Sequence, residues 1–229
     1  MRIAKFIAGA GICSRREAEK MIGQGRVMVD GKIIASPALN VDESNSVAVN
    51  GKIIEPASAP RLWVYYKPVG LVVSHKDPQN RPTIFDSLKK KLPRVISVGR
   101  LDLNSEGLLL LTNNGDLSRY LESPKNNIDR IYRVRVFGSG REVKIQDKKI
   151  TIDGVTYRPK SIKMTKQGKS NSWYEVILTE GKNREIRKIF EYFDFEVNRL
   201  IRTNFGPYSL ENMQPGEFRE VSIDENYRW

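Results

Sequence analysis

Residues 97–115 read SVGRLDLNSEGLLLLTNNG, and this stretch decides how the larger part of the chain folds. Its leucines, Leu108 to Leu111, predict a strongly apolar strand, and VISV at 95–98 predicts a second one just before it. Asp102 lies in the polar, glycine-flanked loop between the two strands. A lone aspartate after a strand is more often a turn former than a catalytic group, so the rest of the chain has to decide its role.

Further apolar runs on both sides of this stretch extend the same pattern. We predict strands at 62–66, 71–74, 132–137 and 173–179, and helices near 84–91, 116–122 and 183–193. Ile186, Ile189, Phe190 and Phe193 give the last helix a buried stripe. Runs of strands with few, unevenly spaced helices favour an α+β domain with a mainly antiparallel, mixed sheet.

The first 60 residues have a different organisation, which predicts a small separate domain. Residues 3–10 have apolar spacing typical of a helix, and Ser14 with Glu17 predicts a capping box that opens a second helix. Asp30–Gly31 and Asn50–Gly51 are two-residue hairpin signals between apolar residues. EPASAP at 55–60 has the composition of a linker. We therefore predict one domain over 1–60 and another over 61–229.

The charge balance predicts a polyanionic partner. The chain has 39 lysines and arginines against 27 acidic residues, a net charge of +12. Its longest apolar runs are far shorter than the roughly 20 residues needed to cross a bilayer. Cys13 is the only cysteine and His75 the only histidine, so this chain alone supplies neither a disulfide framework nor a Cys/His zinc site. We expect a protein of a reducing, cytoplasmic compartment.

Four motifs occur in a fixed order along the larger domain. They are KPVG at 67–70, GRLDLNSEGLLLLT at 99–112, YRVRV at 132–136, and EGKNREIRKIFE at 180–191 followed by NRLIRTNFG at 198–206. This order resembles the ribosomal RNA pseudouridine synthases, in the branch that holds the type-A enzymes of the small subunit with the B, E and F types of the large one. EGKNREIRKIFE and NRLIRTNFG most resemble the type-B enzymes of the large subunit. Residues 10–52 resemble the small RNA-binding module of ribosomal protein S-four.

The resemblance implies an isomerase that converts uridine to pseudouridine in ribosomal RNA without a cofactor or a metal ion. It implies that Asp102 is the reacting carboxylate and that Tyr132 lies against the flipped uracil. It also implies that Arg187 pairs with Asp102, and an adjacent arginine favours the ionised carboxylate. The residues leave open whether this carboxylate attacks the ring, attacks the sugar or acts as a base.

Many of the basic residues are candidates for contacts with RNA phosphates. In the N-terminal module these are Arg15, Arg16, Lys20, Arg26 and Lys32. In the larger domain they are Lys67, Arg81, Arg100, Arg184, Lys188, Arg199 and Arg202. We expect the partner to be ribosomal RNA or an immature ribosomal subunit, with the protein acting as a monomer and without a membrane.

Two alternatives remain open at this point. One is a non-catalytic ribosome-assembly factor that only binds RNA, and the presence of Asp102 argues against it. The other is a pseudouridine synthase that acts on small-subunit RNA. A nucleotide-dependent enzyme is disfavoured, because QGKS at 167–170 resembles a phosphate loop but Lys163 occupies the position of its first glycine.

Overall fold

The computed structural model describes residues 1–137, 143 and 149–229. Its N-terminal part contains two helices and two hairpins. The helices are α1 (Ile3–Gly9) and α2 (Arg15–Gly23). The strands are β1 (Val27–Val29), β2 (Lys32–Ile33), β3 (Val47–Val49) and β4 (Lys52–Ile53), in the antiparallel order β2-β1-β3-β4. They enclose an apolar core of their own, in which Ile3, Ile7, Ile22 and Val27 are fully buried.

The two hairpin signals are confirmed, and of the predicted capping box the structure shows the hydrogen bond to the Ser14 side chain. The Ser14 hydroxyl accepts a hydrogen bond from the backbone N–H of Glu17, at 3.2 Å, and so caps α2. Asp30 and Gly31 have φ values of 49° and 77°, and Asn50 has 52°. Positive φ at both turn positions matches the right-handed twist of the paired strands, which is why these dipeptides close tight hairpins.

The larger part of the chain is built on one long twisted sheet. Its strands are β5 (Leu62–Lys67), β6 (Ile96–Ser97), β7 (Glu106–Thr112), β8 (Arg130–Phe137), β11 (Ser161–Gln167), β12 (Asn171–Leu178), β13 (Glu196–Phe205), β14 (Tyr208–Ser209) and β15 (Phe218–Val221). Its main path is β11-β12-β8-β13-β7-β5-β15, with β6 added to β7 and β14 to β13. Among the described strands, β7 and β13 form the parallel pair and the others pair antiparallel, which confirms the predicted α+β class.

Helices cover the two faces of this sheet. α3 (Ile84–Leu88) and α5 (Glu185–Tyr192) contribute to a core with Tyr65, Leu109 and Val134 on one face. α4 (Gly115–Glu122) packs on the other face through Leu117 and Leu121. A small hairpin of β9 (Ile150–Ile152) and β10 (Val155–Tyr157) lies apart from the sheet. An ion pair between Lys5 and Asp116 connects α1 to α4 and thus the two parts of the chain.

Several predicted elements differ from the structure. LVVS at 71–74 forms no strand and contributes an isolated bridge between Val72 and Thr83. The helix predicted over 84–91 ends at Leu88, because the three lysines that follow have no apolar face to bury. The helix predicted from 183 begins at Glu185, since Arg184 has a left-handed φ of 51°. The ten-residue strand β13 was not predicted, because its polar residues conceal the alternation that is typical of a strand.

Candidate active site

The loop that carries Asp102 is held in place by backbone hydrogen bonds. The N–H of Ser105 donates to the carbonyl oxygen of Asp102 at 3.0 Å, which closes a turn. The N–H of Gly70 donates to the carbonyl oxygen of Leu103 at 2.9 Å and ties the KPVG turn to the same loop. Lys67 lies beneath them, and its Nζ donates to the carbonyl oxygens of Ser105 at 2.8 Å and Pro68 at 2.9 Å. The carbonyl oxygens of Asp102, Leu103 and Ser105 are therefore all hydrogen-bonded within the fold.

Two arginines flank the Asp102 carboxylate. Arg187 Nε lies 4.0 Å from Asp102 Oδ2, and Arg184 Nη1 lies 3.9 Å from the same oxygen. Arg187 is well fixed, because its Nη1 donates to the carbonyl oxygen of Val197 and its Nη2 to that of Asn104, both at 2.9 Å. Arg184 is about half-exposed. Two positive charges thus lie about 4 Å from one carboxylate oxygen, and Arg187 is the one that backbone carbonyl groups hold in place.

A cavity of about 240 Å³ opens beside Asp102. Tyr132, on β8, is buried and forms part of its wall. Leu101, Leu178 and Ile186 supply apolar surface, while Arg100 and Arg184 lie at its polar side. The cavity joins a carboxylate, an aromatic ring and cations, the groups needed to accept a nucleotide whose base has left its stack.

Two buried arginines form the deeper part of this cavity. Arg130 and Arg202 are 6% and 3% exposed, and both guanidinium groups lie over the ring of Phe205, at 5.0 and 5.4 Å. Arg202 Nε donates to the carbonyl oxygen of Leu108 at 2.7 Å, and Arg130 Nη2 donates to that of Glu122 at 3.0 Å. Arg130 was not among the predicted site residues. Arg202 was predicted as a phosphate contact; it is buried, it lines the cavity and its Nη2 has no hydrogen-bond partner among the described residues, so the contact stays a prediction.

Glu185 is the buried acid of this deeper layer. Burial raises the pKa of the Glu185 carboxyl to about 7, and the negative charge of Glu180 adds to the effect. Glu185 Oε2 accepts a hydrogen bond from the backbone N–H of Lys182 at 3.1 Å, and the Glu185 and Glu180 side chains are close enough to interact directly. Glu180 forms an ion pair with the Lys182 side chain and is the ionised member of the two carboxyls.

The structure places the other candidate RNA contacts in different environments. Lys67 is completely buried, so its ammonium group has no surface to offer a phosphate, and it is a structural residue of the Asp102 loop. Burial lowers its pKa to about 8.

Arg199 is paired with Glu106 at 2.7 Å, and Arg81 with Asp77 at 2.7 Å. Exposed candidates in the N-terminal part are Arg15, Arg16, Lys20, Arg26 and Lys32. In the larger part Arg100 is exposed and Lys188 is half-buried.

Neither a metal cluster nor a membrane-spanning helix occurs in the described ranges. Residues 1–137, 143 and 149–229 contain no group of three or more histidine, cysteine or acidic side chains suited to a metal ion. Within the same ranges, every helix is too short or too polar to span a membrane.

The fold and the site together are those of an RNA-modifying enzyme: a basic N-terminal module of helices and hairpins precedes a sheet domain with a carboxylate cavity. Comparison with known proteins identifies the family. A family profile described as RNA pseudouridylate synthase matches residues 61–192, and the profile of the S4 domain matches residues 1–47. The chain belongs to the RNA pseudouridylate synthase family.

Comparisons with individual proteins lead to the same family. An uncharacterised RNA pseudouridine synthase of Rickettsia felis is 58% identical over 222 residues, covering 96% of each chain. The ribosomal large subunit pseudouridine synthase B of Salmonella typhimurium is 39% identical over 236 residues, which cover 99% of this chain and 81% of the relative. A crystal structure of a pseudouridylate synthase superposes with a TM-score of 0.64 at 26% identity, covering 97% of this chain and 96% of that one.

Proposed function

We propose that this chain converts uridine to pseudouridine at a specific position of ribosomal RNA from the large subunit, with Asp102 as the reacting carboxylate. The observation that carries the proposal is the position of Asp102 Oδ2, about 4 Å from both Arg184 and Arg187, beside the cavity lined by Tyr132. The choice of the large subunit rests on the Salmonella typhimurium relative.

The proposed reaction breaks the bond between N1 of uracil and C1′ of ribose and forms a bond between C5 and C1′. The proton on C5 is lost to solvent, and N1 gains one, so the reaction consumes no co-reactant. Attack on the ring, attack on the sugar and removal of a sugar proton are three possible roles for the Asp102 carboxylate. Each requires the ionised form, and Arg184 and Arg187 bring two positive charges to about 4 Å from it.

The cavity is suited to hold a uracil that has left the RNA stack. Unstacking and unpairing a base costs a few kcal/mol. Contact with an aromatic side chain returns roughly 1–3 kcal/mol for each base. Tyr132 is the aromatic wall next to Asp102, so we assign it the task of holding the flipped base and assisting the movement of protons.

We assign RNA recognition to residues 1–60 and catalysis to residues 61–229. The exposed cations of the N-terminal module support the first assignment, and the common cavity of Asp102 and Tyr132 supports the second. Because one chain supplies all the groups around that cavity, we further propose that the protein acts as a monomer. We place it in the cytoplasm, on ribosomal RNA or an immature ribosomal subunit.

The test uses unmodified large- and small-subunit ribosomal RNA with tritium at C5 of uridine. Tritium release is followed, and the product is mapped by carbodiimide treatment and primer extension. We expect release at a discrete site of large-subunit RNA, loss of release in Asp102→Asn, and full activity in the control Asp153→Asn, which changes an aspartate in the β9–β10 turn. Release from small-subunit RNA alone would reassign the target. Tight binding without release from naked RNA or immature subunits would indicate a non-catalytic assembly factor.

A further inference from the structure

A second basic surface lies on the opposite face of the sheet from the catalytic cavity. Successive side chains of a strand point to opposite faces. On β8, Tyr132 faces the cavity, so Arg133 and Arg135 face away from it. On β12, Tyr174 is buried in the core on the cavity side, and Trp173 is on the far side.

The strand register aligns cations across this far side in two rows. Arg135, Trp173 and Lys166 are neighbours across β8, β12 and β11. Arg133, Glu175 and Lys163 form the adjacent row. We call these six residues the rear-face patch. Four of them are cations and one is an acid, so the rear-face patch carries a net positive charge.

The two arginines of the rear-face patch are held in place without acidic partners. Arg133 and Arg135 lie over the Trp173 ring, at 4.8 and 5.9 Å from its centroid. Arg135 Nε donates to Asn198 Oδ1 at 2.9 Å, and Asn198 donates in turn to Asn171 Oδ1 at 2.8 Å. Within the described residues, no ion pair joins any of the four cations to a carboxylate. The two arginines are therefore positioned by Trp173 and Asn198, and all four cations are available to an external anion.

The simplest alternative is that the lysines only protect the sheet edge. β11 is an edge strand, and exposed lysines on edge strands prevent association between sheets. That role accounts for Lys163 and Lys166. It does not account for Arg133 and Arg135, because β8 lies inside the sheet, between β12 and β13, and has no free edge.

We propose that the rear-face patch binds phosphates of an RNA segment distinct from the one at the catalytic cavity. The proposal rests on the proposed function in that it takes RNA as the partner. Charge complementarity favours it, since immobilised guanidinium groups suit phosphate oxygens. An RNA that reaches both faces passes around β11, which carries Lys163 and Lys166. The rear-face patch then selects long, folded RNA over a short fragment.

The test compares binding of two RNAs over a range of salt concentrations. The probes are a transcript of large-subunit ribosomal RNA and a short uridine-containing stem-loop from the same RNA. The variants are Arg133→Gln/Lys166→Gln and, to avoid disturbing the packing on Trp173, Lys163→Gln/Lys166→Gln. Lys89→Gln/Lys90→Gln removes the same charge from two exposed lysines after α3 and is the control. Urea unfolding confirms that each variant is folded.

We expect each rear-face variant to lower the salt slope of transcript binding by about 1.5, since each lost phosphate contact removes roughly 0.7–0.9 from the slope. Binding of the stem-loop is expected to stay at the native level. A transcript slope equal to that of the control would overturn the proposal. Variants that bind the transcript like the native protein but no longer bind polyglutamate would also overturn it. That result would assign the rear-face patch to an acidic protein segment. Binding is measured without turnover, so a native protein that releases no tritium refutes the proposed function and leaves this test intact.

Discussion

Arg187 is connected to Asp102 by the backbone as well as by charge. Its Nη2 donates to the carbonyl oxygen of Asn104, two residues after Asp102, while its Nε lies 4.0 Å from the carboxylate. One planar guanidinium thus positions the loop and faces the reacting group. A lysine keeps the charge but cannot reproduce this forked geometry.

Arg187→Lys is therefore expected to lower kcat by about 10²–10³-fold, the usual cost of losing a preorganised polar contact at a reacting group. Arg184→Lys is the matched control, because Arg184 is half-exposed and approaches Asp102 through charge alone. We expect it to change kcat by less than Arg187→Lys. Single-turnover kinetics on the mapped RNA provides the measurement, and equal effects of the two substitutions would refute a special role for the backbone contacts of Arg187.

The raised pKa of Glu185 predicts that the free energy of unfolding depends on pH. Burial raises its pKa to about 7 from the ordinary value of 4.5. Between these two pH values the folded protein keeps a proton that the unfolded chain has released. The stabilisation that the raised pKa of Glu185 gives to the folded protein is complete below pH 4.5 and is lost as the pH rises through 7.

Glu185→Gln imitates the protonated carboxyl and should remove this loss. We expect the free energy of unfolding of the variant, relative to that of the native protein, to rise by about 1–3 kcal/mol from about pH 5 to pH 8. Urea unfolding at both pH values gives the difference. Glu191→Gln, at an exposed position of the same helix, is the control and should leave the pH dependence unchanged. Parallel pH profiles for native protein and Glu185→Gln would contradict the assignment.

Gly107 permits the parallel contact between β7 and β13. It has a φ of 108°, and a Cβ atom there would lie 2.3 Å from the carbonyl oxygen of Arg202. We expect Gly107→Ala to lower the free energy of unfolding by more than about 4 kcal/mol, because backbone strain adds to a clash with backbone. Gly115→Ala is the control, since nothing lies within 4 Å of its Cβ position. Because Gly115 is the first residue of α4, we expect this substitution to change the free energy of unfolding by less than about 1 kcal/mol. Urea unfolding of both variants tests the pair.

The sequence predicted the elements that local chemistry determines. Ser14, Asp30–Gly31 and Asn50–Gly51 act through their own backbone neighbours, and the apolar runs of β5 and β7 leave no alternative to burial. The placement of Arg187 next to Asp102 was predicted from the order of motifs. Their chemical roles, and those of Tyr132, stay predictions until the activity is measured.

The burial of the cations in the deeper part of the site was not predicted, because it depends on tertiary packing. Arg130, Arg202 and Lys67 are cations, and cations are ordinarily exposed. Their burial follows from carbonyl groups and the Phe205 ring, which distant parts of the chain bring together. β13 was not predicted for a related reason, since its polar residues include both exposed ones, such as Asn198 and Arg199, and the buried Arg202. A short window of sequence around Lys67, Arg130 or Arg202 does not contain Ser105, Glu122 or Leu108.

Removal of residues 1–60 tests the division into domains. The buried cores of the two parts share no residue, and the Lys5–Asp116 pair is of the exposed kind that contributes roughly 0–1 kcal/mol. Asn113 also loses its contacts with Ser58 and Ala59, while its contact with Arg61 remains. We therefore expect residues 61–229 to fold and to keep their activity on a short stem-loop. Binding of ribosomal RNA should weaken, with a salt slope lower by as much as about 4 if all five exposed cations contact phosphates. A truncated protein with native affinity and slope would show that RNA recognition lies elsewhere, and one that fails to unfold cooperatively would show that the two parts are not separate domains.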